Sequence, residues 1–153
     1  MKKYELTAEF IEKWGKKLFR IKALISFGSV EVGELGGYVE KEDNLAQTGD
    51  AWVYGNARVC GNARVYGDAD YLLIGRIGSR FGFTTFFKNK EKGITVSCGC
   101  FLGTIAEFRA KVTDTHGDNK HAKMYNMAAD MAELQILGEE HFDKLNTNKS
   151  EPF

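Results

Sequence analysis

The sequence predicts a mainly β chain with helices, organised around a short coil of stacked strands and closed at both ends by smaller elements. Three observations carry that fold class. The segment Gly49–Asp70, GDAWVYGNARVCGNARVYGDAD, repeats one six-residue pattern, and self-similarity at a fixed period marks a repeat architecture. Within each unit, small or branched apolar residues alternate with others, as successive side chains on a strand point to opposite faces. Gly-Asn or Gly-Asp pairs recur at the unit boundaries, and those residues suit sharp corners and positive φ.

Written in sixes, residues 37–72 read GYVEKE, DNLAQT, GDAWVY, GNARVC, GNARVY and GDADYL. One column holds Val39, Leu45, Ala51, Ala57, Ala63 and Ala69; two residues on, the last four units hold Val53, Val59, Val65 and Tyr71. Both columns share a face and are expected inside. Trp52, Arg58, Arg64 and Asp70 must then face outward. An antiparallel meander fits poorly, because a two-residue corner every six residues leaves almost no ladder. A chain that turns the same way at each corner and stacks coil on coil fits better.

The N-terminal region, residues 1–36, is expected to cap the coil. TAEFIEKWGKK, from Thr7 to about Lys17, reads as a short helix with Thr7 at its N-cap and Phe10, Ile11 and Trp14 on one side. LFRIKALISF alternates Phe19, Ile21, Ala23 and Ile25 and reads as a strand. Beyond the repeat, residues 73–142 should form an α+β unit. Strands are expected at Tyr71–Ile77, Phe81–Phe87 and Ile94–Phe101, with KNKEKG as a hairpin turn. Thr104 and Glu107 form a capping box ahead of a helix that stops near Gly117. A second helix runs from about Lys120 to Leu137, with Met124, Met127 or Ala128, Met131 and Leu134 on its apolar side. Residues 143–153 read as a frayed tail.

The V-x-G-[ND]-A-x beat resembles the hexapeptide repeat of left-handed parallel β-helices, in which three units make one triangular coil. More narrowly, KLFRIKALISFGSVEVGELGGYVEKEDNLAQTGDAWVYGNARV and VSCGCFLGTIAEFRAKVTDTHGDNKHAKMYNMAADMAEL resemble small hexapeptide-repeat proteins of bacteriophages and prophages. The likeness spans roughly residues 17–137, and GGYVEKEDNL and GCFLGT are its most specific stretches. It implies a left-handed parallel β-helix of about two coils and a phage origin. In such a fold, positions eighteen apart would stack. Most members of that family have no assigned activity.

Charge and cysteine content narrow the function classes. Twenty-one Lys and Arg balance 21 Asp and Glu, so no general attraction to nucleic acid or membrane follows. Residues 37–72 carry three basic against six acidic side chains, the wrong sign for tracking phosphates, so direct nucleic-acid binding is not expected. No apolar run approaches the roughly twenty residues of a membrane span, and three sparse cysteines fit a reducing host-cell cytoplasm.

Catalysis on the coil lacks its residues. Acyltransferases and carbonic anhydrases of the β-helix class need histidines on the coils, and residues 37–72 contain none. His116, His121 and His141 all come late. HGDNKH reads as a polar inter-helix turn, with a zinc site or an atypical transferase centre at His116 and Asp118 as the alternative. Cys98 and Cys100 read as small residues beneath a helix, and Cys60 as an outward thiol. No cofactor is expected.

The remaining candidate is surface. Trp52, Tyr54, Arg58, Arg64 and Tyr66 are expected to point outward from a flat prism, and exposed aromatics with arginine dominate interfaces. They predict a non-catalytic accessory protein that binds a host protein. A counter-defence inhibitor is its most concrete form, by anti-CRISPR-like occlusion or by sequestering a signalling nucleotide. Self-association and a structural role in phage assembly are the alternatives.

Overall fold

The computed structural model describes residues 2–150, with side chains to residue 144. Two four-stranded sheets and three helices build the chain, and no parallel β-helix is present among the described residues. The solenoid expected from the repeat is therefore corrected. The first sheet runs in sequence order: β1 (Tyr4–Lys13), β2 (Lys16–Ala23), β3 (Leu35–Val39) and β4 (Arg58–Val59). Its first two pairings are antiparallel and only the last is parallel.

The helix expected over 7–17 is instead the turn of the β1–β2 hairpin. Trp14 and Gly15 both take positive φ, 54° and 73°, the backbone of a two-residue hairpin loop whose twist matches its strands. Phe10, Ile11 and Trp14 mimic helical spacing, but their partners lie across the hairpin. Phe10 pairs with Phe19 and Ile11 with Leu18, and the Phe10 and Phe19 rings sit 5.9 Å apart. Thr7, expected as an N-cap, donates its hydroxyl to the Arg20 carbonyl at 2.8 Å.

Within the repeat, Ala51, Val53, Ala57, Val59, Ala63 and Val65 are buried, and Ala69 is exposed. What they pack against differs from a stacked coil. Parallel pairing is confined to β3–β4 and one bridge between Leu45 and Val65. The register joins residues twenty apart, Tyr38 with Arg58 and Leu45 with Val65, rather than eighteen. A 3₁₀ turn at Glu42–Asn44 interrupts the six-residue beat.

Elsewhere the repeat bonds to the second sheet. That sheet is β5 (Tyr71–Ile77), β6 (Gly82–Lys88), β7 (Ile94–Cys98) and β8 (Phe101–Thr104), all antiparallel. The Arg58 amide donates to Thr85 Oγ1 at 3.1 Å, and Ser97 Oγ donates to the Arg58 carbonyl at 2.9 Å. The Arg64 amide donates to the Lys88 carbonyl at 2.8 Å.

Alternation along this second sheet divides the molecule into two cores. Tyr71, Leu73, Phe87 and Leu102 face the repeat. Leu72, Ile74, Phe86 and Phe101 face the helices, as period-two geometry requires. The helices are α1 (Ile105–His116), α2 (Lys120–Ala132) and α3 (Glu139–Ser150), with a π-helical turn at Glu133–Leu137 between the last two. Thr104 Oγ1 accepts from the Glu107 amide at 3.1 Å while Glu107 Oε1 accepts from the Thr104 amide at 2.8 Å, the capping box at the start of α1. Gly117 ends that helix at φ 61°. Arg109 on α1 binds Asp130 at 2.7 Å and also Glu133, locking the helical layer. The tail expected to fray from 143 is helical through Ser150, and 151–153 lie outside the described residues.

Asn44 is the staple of the repeat. Fully buried, its Oδ1 accepts from the amides of Glu40 and Lys41 at 3.2 and 3.1 Å. Its Nδ2 donates to the carbonyls of Gly61 and Ala63 at 3.0 and 3.2 Å. Buried polar backbone left unpaired costs about 1–3 kcal/mol per group. Asn44→Ala is therefore expected to destabilise the chain by at least ~2 kcal/mol, read as a fall in the urea midpoint with an unchanged m-value.

Candidate interaction surface

Only part of the expected surface reaches solvent. Trp52 is fully buried, packed edge-on to Tyr4 at 6.2 Å and to Phe27 at 5.3 Å. This corrects its assignment to the outward column. The β1–β2 hairpin and the 24–34 loop close over that side of the repeat, so the column has no free face there. Arg58 is partly buried, its backbone held between Thr85 and Ser97.

Tyr54 and Tyr66 are exposed. Tyr54 lies beside Ser29, hydroxyl to hydroxyl at 3.3 Å, and its amide donates to Tyr71 Oη at 3.3 Å.

Tyr66 has the better-built surroundings. It lines a groove of about 350 Å³ with Glu42, Asp43, Leu45, Ala46, Gln47 and Thr48. The floor is held from below by Tyr4, whose hydroxyl donates to the carbonyls of Leu45 at 2.6 Å and Glu42 at 3.0 Å. Burial, with Glu42 and Asp43 nearby, pushes the Tyr4 phenol well above its usual range, so it serves as a neutral donor. Gln47 fixes the opposite wall: Oε1 accepts from the amides of Lys3 and Tyr4 at 2.8 and 3.2 Å, and Nε2 donates to the Tyr4 carbonyl at 3.1 Å. One side-chain amide thus pairs the end of the β1 edge.

Lys3 anchors the same corner. It is 1% exposed, with Nζ donating to the Ala51 carbonyl at 2.6 Å and lying 4.8 Å above the Phe27 ring. Burial lowers its pKa, partly offset by Asp50 and Asp68.

The groove is acidic. Glu42 is engaged by Lys2 at 2.6 Å, an exposed pair of the kind worth about 0–1 kcal/mol. The Arg64 guanidinium sits 5.7 Å from the Tyr66 ring centroid, so the ring already holds one cation in the geometry of a cation–π contact.

A second, independent surface lies on α2 and the π-helical turn that follows it. Of the expected packing side, Met124, Met127, Met131 and Leu134 are instead exposed, at 38%, 65%, 52% and 44% of their area, while Ala128, the alternative to Met127, is buried. The face that packs on the sheet carries Ala122, Ala128, Ala129, Ala132 and Ile136. Alanine wins that position because Phe86 and Phe108 already fill the interlayer space, edge to face at 5.6 Å.

The histidine-bearing turn is a stacked row. His116 and His121 rings are 5.4 Å apart, and His116 stacks on Tyr125 at 5.9 Å. Burial, with Cys98 adjacent, pushes the Tyr125 phenol up to about 12, so it holds its proton. Asp118 is exposed in the turn. Among the described residues no group of three or more His, Cys, Asp or Glu is placed to hold a metal, and no helix is long and apolar enough to cross a membrane. No family model matches the chain, and no curated protein matches it.

Cysteine exposure also departs from expectation. Cys60 is buried, not outward, and burial beside Glu40 raises its thiol from 9.0 to about 11. Cys98 is half-buried and accepts from Thr84 Oγ1 at 3.1 Å; Cys100 is exposed in the β7–β8 turn. At pH 8 Cys100 is expected to react with a thiol reagent at once and Cys60 only on unfolding. Because the folded thiol of Cys60 titrates above the unfolded one, its contribution to stability is full below pH 9.0 and lost as pH rises to about 11. Cys60→Ala is expected to flatten that part of the urea-midpoint profile.

Proposed function

We propose that this is a non-catalytic binding protein whose acidic groove receives a lysine- or arginine-bearing segment of a partner protein. The observation that carries this reading is Tyr66, half exposed beside Glu42 and Asp43 at the groove. Aromatic rings flanked by carboxylates receive cationic side chains by cation–π and ion-pair contacts together. Lys2 on Glu42 occupies the place of the incoming cation, held by a pair weak enough to exchange. The same charge disfavours a nucleotide here, since phosphates would meet Glu42 and Asp43.

The resemblance to phage proteins supplies the concrete form: occlusion of a host defence component. The groove reading does not depend on it.

A photo-crosslinking residue at position 66 is expected to give one dominant protein adduct in host cells, absent when the same residue replaces Lys90. The purified adduct partner should bind the wild type, and Tyr66→Ala or Glu42→Gln with Asp43→Asn should weaken it at least tenfold, about 1.4 kcal/mol. No adduct above the position-90 control, or affinity indifferent to Tyr66→Ala, overturns the groove. In a plaque assay on defended cells, rescue by wild type and not by Tyr66→Ala supports occlusion. Equal plaquing with and without the protein dismisses the counter-defence form.

A further inference from the structure

We infer that α2 pairs antiparallel with α2 of a second copy of this chain, through its methionine stripe. The observations are independent of the groove. Met124, Met127, Met131 and Leu134 recur at alternating spacings of three and four residues, and all are exposed. That spacing is the a/d seam by which two helices interlock. The seam borders the buried Ala128 and faces away from the buried Ala122, Ala129 and Ala132. A helix whose apolar surface extends well beyond its packed face is the pattern of one covered on more than one side. The sheet covers only one.

Charge selects the occupant and its direction. The N-terminal end of the stripe carries Lys120 and Lys123, both exposed, while exposed Glu139 and Glu140 follow its C-terminal end. A parallel copy would set lysines beside lysines. An antiparallel copy sets Lys120 and Lys123 beside the glutamates of its partner and opposes the two helix dipoles, each favourable. Symmetry then fixes the register. A two-fold axis level with Ala129 places Met127 against Met131 of the partner subunit, and Met124 against Leu134 of the partner subunit.

Such an isologous contact closes on itself and stops at two. Methionine suits it, being unbranched and able to fill an irregular seam. The four apolar side chains alone fall short of the roughly 800 Å² per partner of a stable complex. The flanking charged residues must therefore join the contact, and the dimer is expected to be concentration-dependent.

Sedimentation of the full chain tests this. The mass is expected to rise from 17.1 kDa toward twice that value with concentration. Met127→Glu with Met131→Glu is expected to hold it at the monomer, with an unchanged far-UV spectrum because those side chains face solvent. In a Cys100→Ser background, chains carrying Met124→Cys and Leu134→Cys are mixed and oxidised. The mixed disulfide is expected to exceed both homodisulfides. A monomer at every concentration, a dimer untouched by the double glutamate variant, or predominance of the Met124→Cys homodisulfide each overturns the proposal. None of these outcomes bears on the Tyr66 groove, which lies on the other core.

Discussion

The second sheet is apolar on both faces, and the rest of the chain is arranged to cover it. Phe87, Tyr71 and Leu73 look one way; Phe86, Leu72 and Ile74 look the other. A four-stranded sheet with two wet faces would leave these side chains in water, at about 25 cal/mol per Å². The helices take one side. The other must be closed by something broad and apolar, and the repeat is the segment with such a face. Its alanine and valine columns meet the sheet and the β1–β2 hairpin, and meet the earlier units only through β3–β4 and the Leu45–Val65 bridge.

The same constraint explains what could be read from residues alone. Burial of Ala57, Val59, Ala63 and Val65 followed from period-two alternation, which holds whatever covers the face. The limits of β5 and the capping box of Thr104 and Glu107 were legible because their causes are local. The covering partner was not. Six units exposing one apolar face are consistent with a coil stacked on itself or a ribbon docked on a sheet, and only the sheet's own two-sidedness decides. Residues 7–17 failed for a related reason: Phe10 and Ile11 are placed by Phe19 and Leu18, across a turn whose Trp14 lacks the usual turn chemistry. Gly15 was the available signal.

The proposed binding surface was half legible. Exposure of Tyr54 and Tyr66 follows from their place in the unit, yet Trp52 has a similar neighbourhood and is buried. The difference is tertiary, since Tyr4 and Phe27 reach over Trp52 from another part of the chain. On α2 the sequence contained two apolar stripes, and hydrophobicity alone favours methionine over alanine as the packed one. Close approach of helix to sheet reverses that order. Side-chain volume, rather than polarity, assigns the inner face, and it leaves the more apolar face outside.

A chain layered in this way has a geometric consequence. The order from one side to the other is repeat, second sheet, helices. Two copies joined through α2 would bring their helical layers together and carry two acidic grooves, one on each chain. Such a dimer would bind two separate partner molecules, or two sites on one assembly. In the second case the affinity gain comes from effective concentration rather than new contacts. Dimerisation of this kind turns a shallow groove holding one cationic segment into a bridge. That makes weak individual contacts, such as the exchangeable Lys2–Glu42 pair, compatible with stable occupancy.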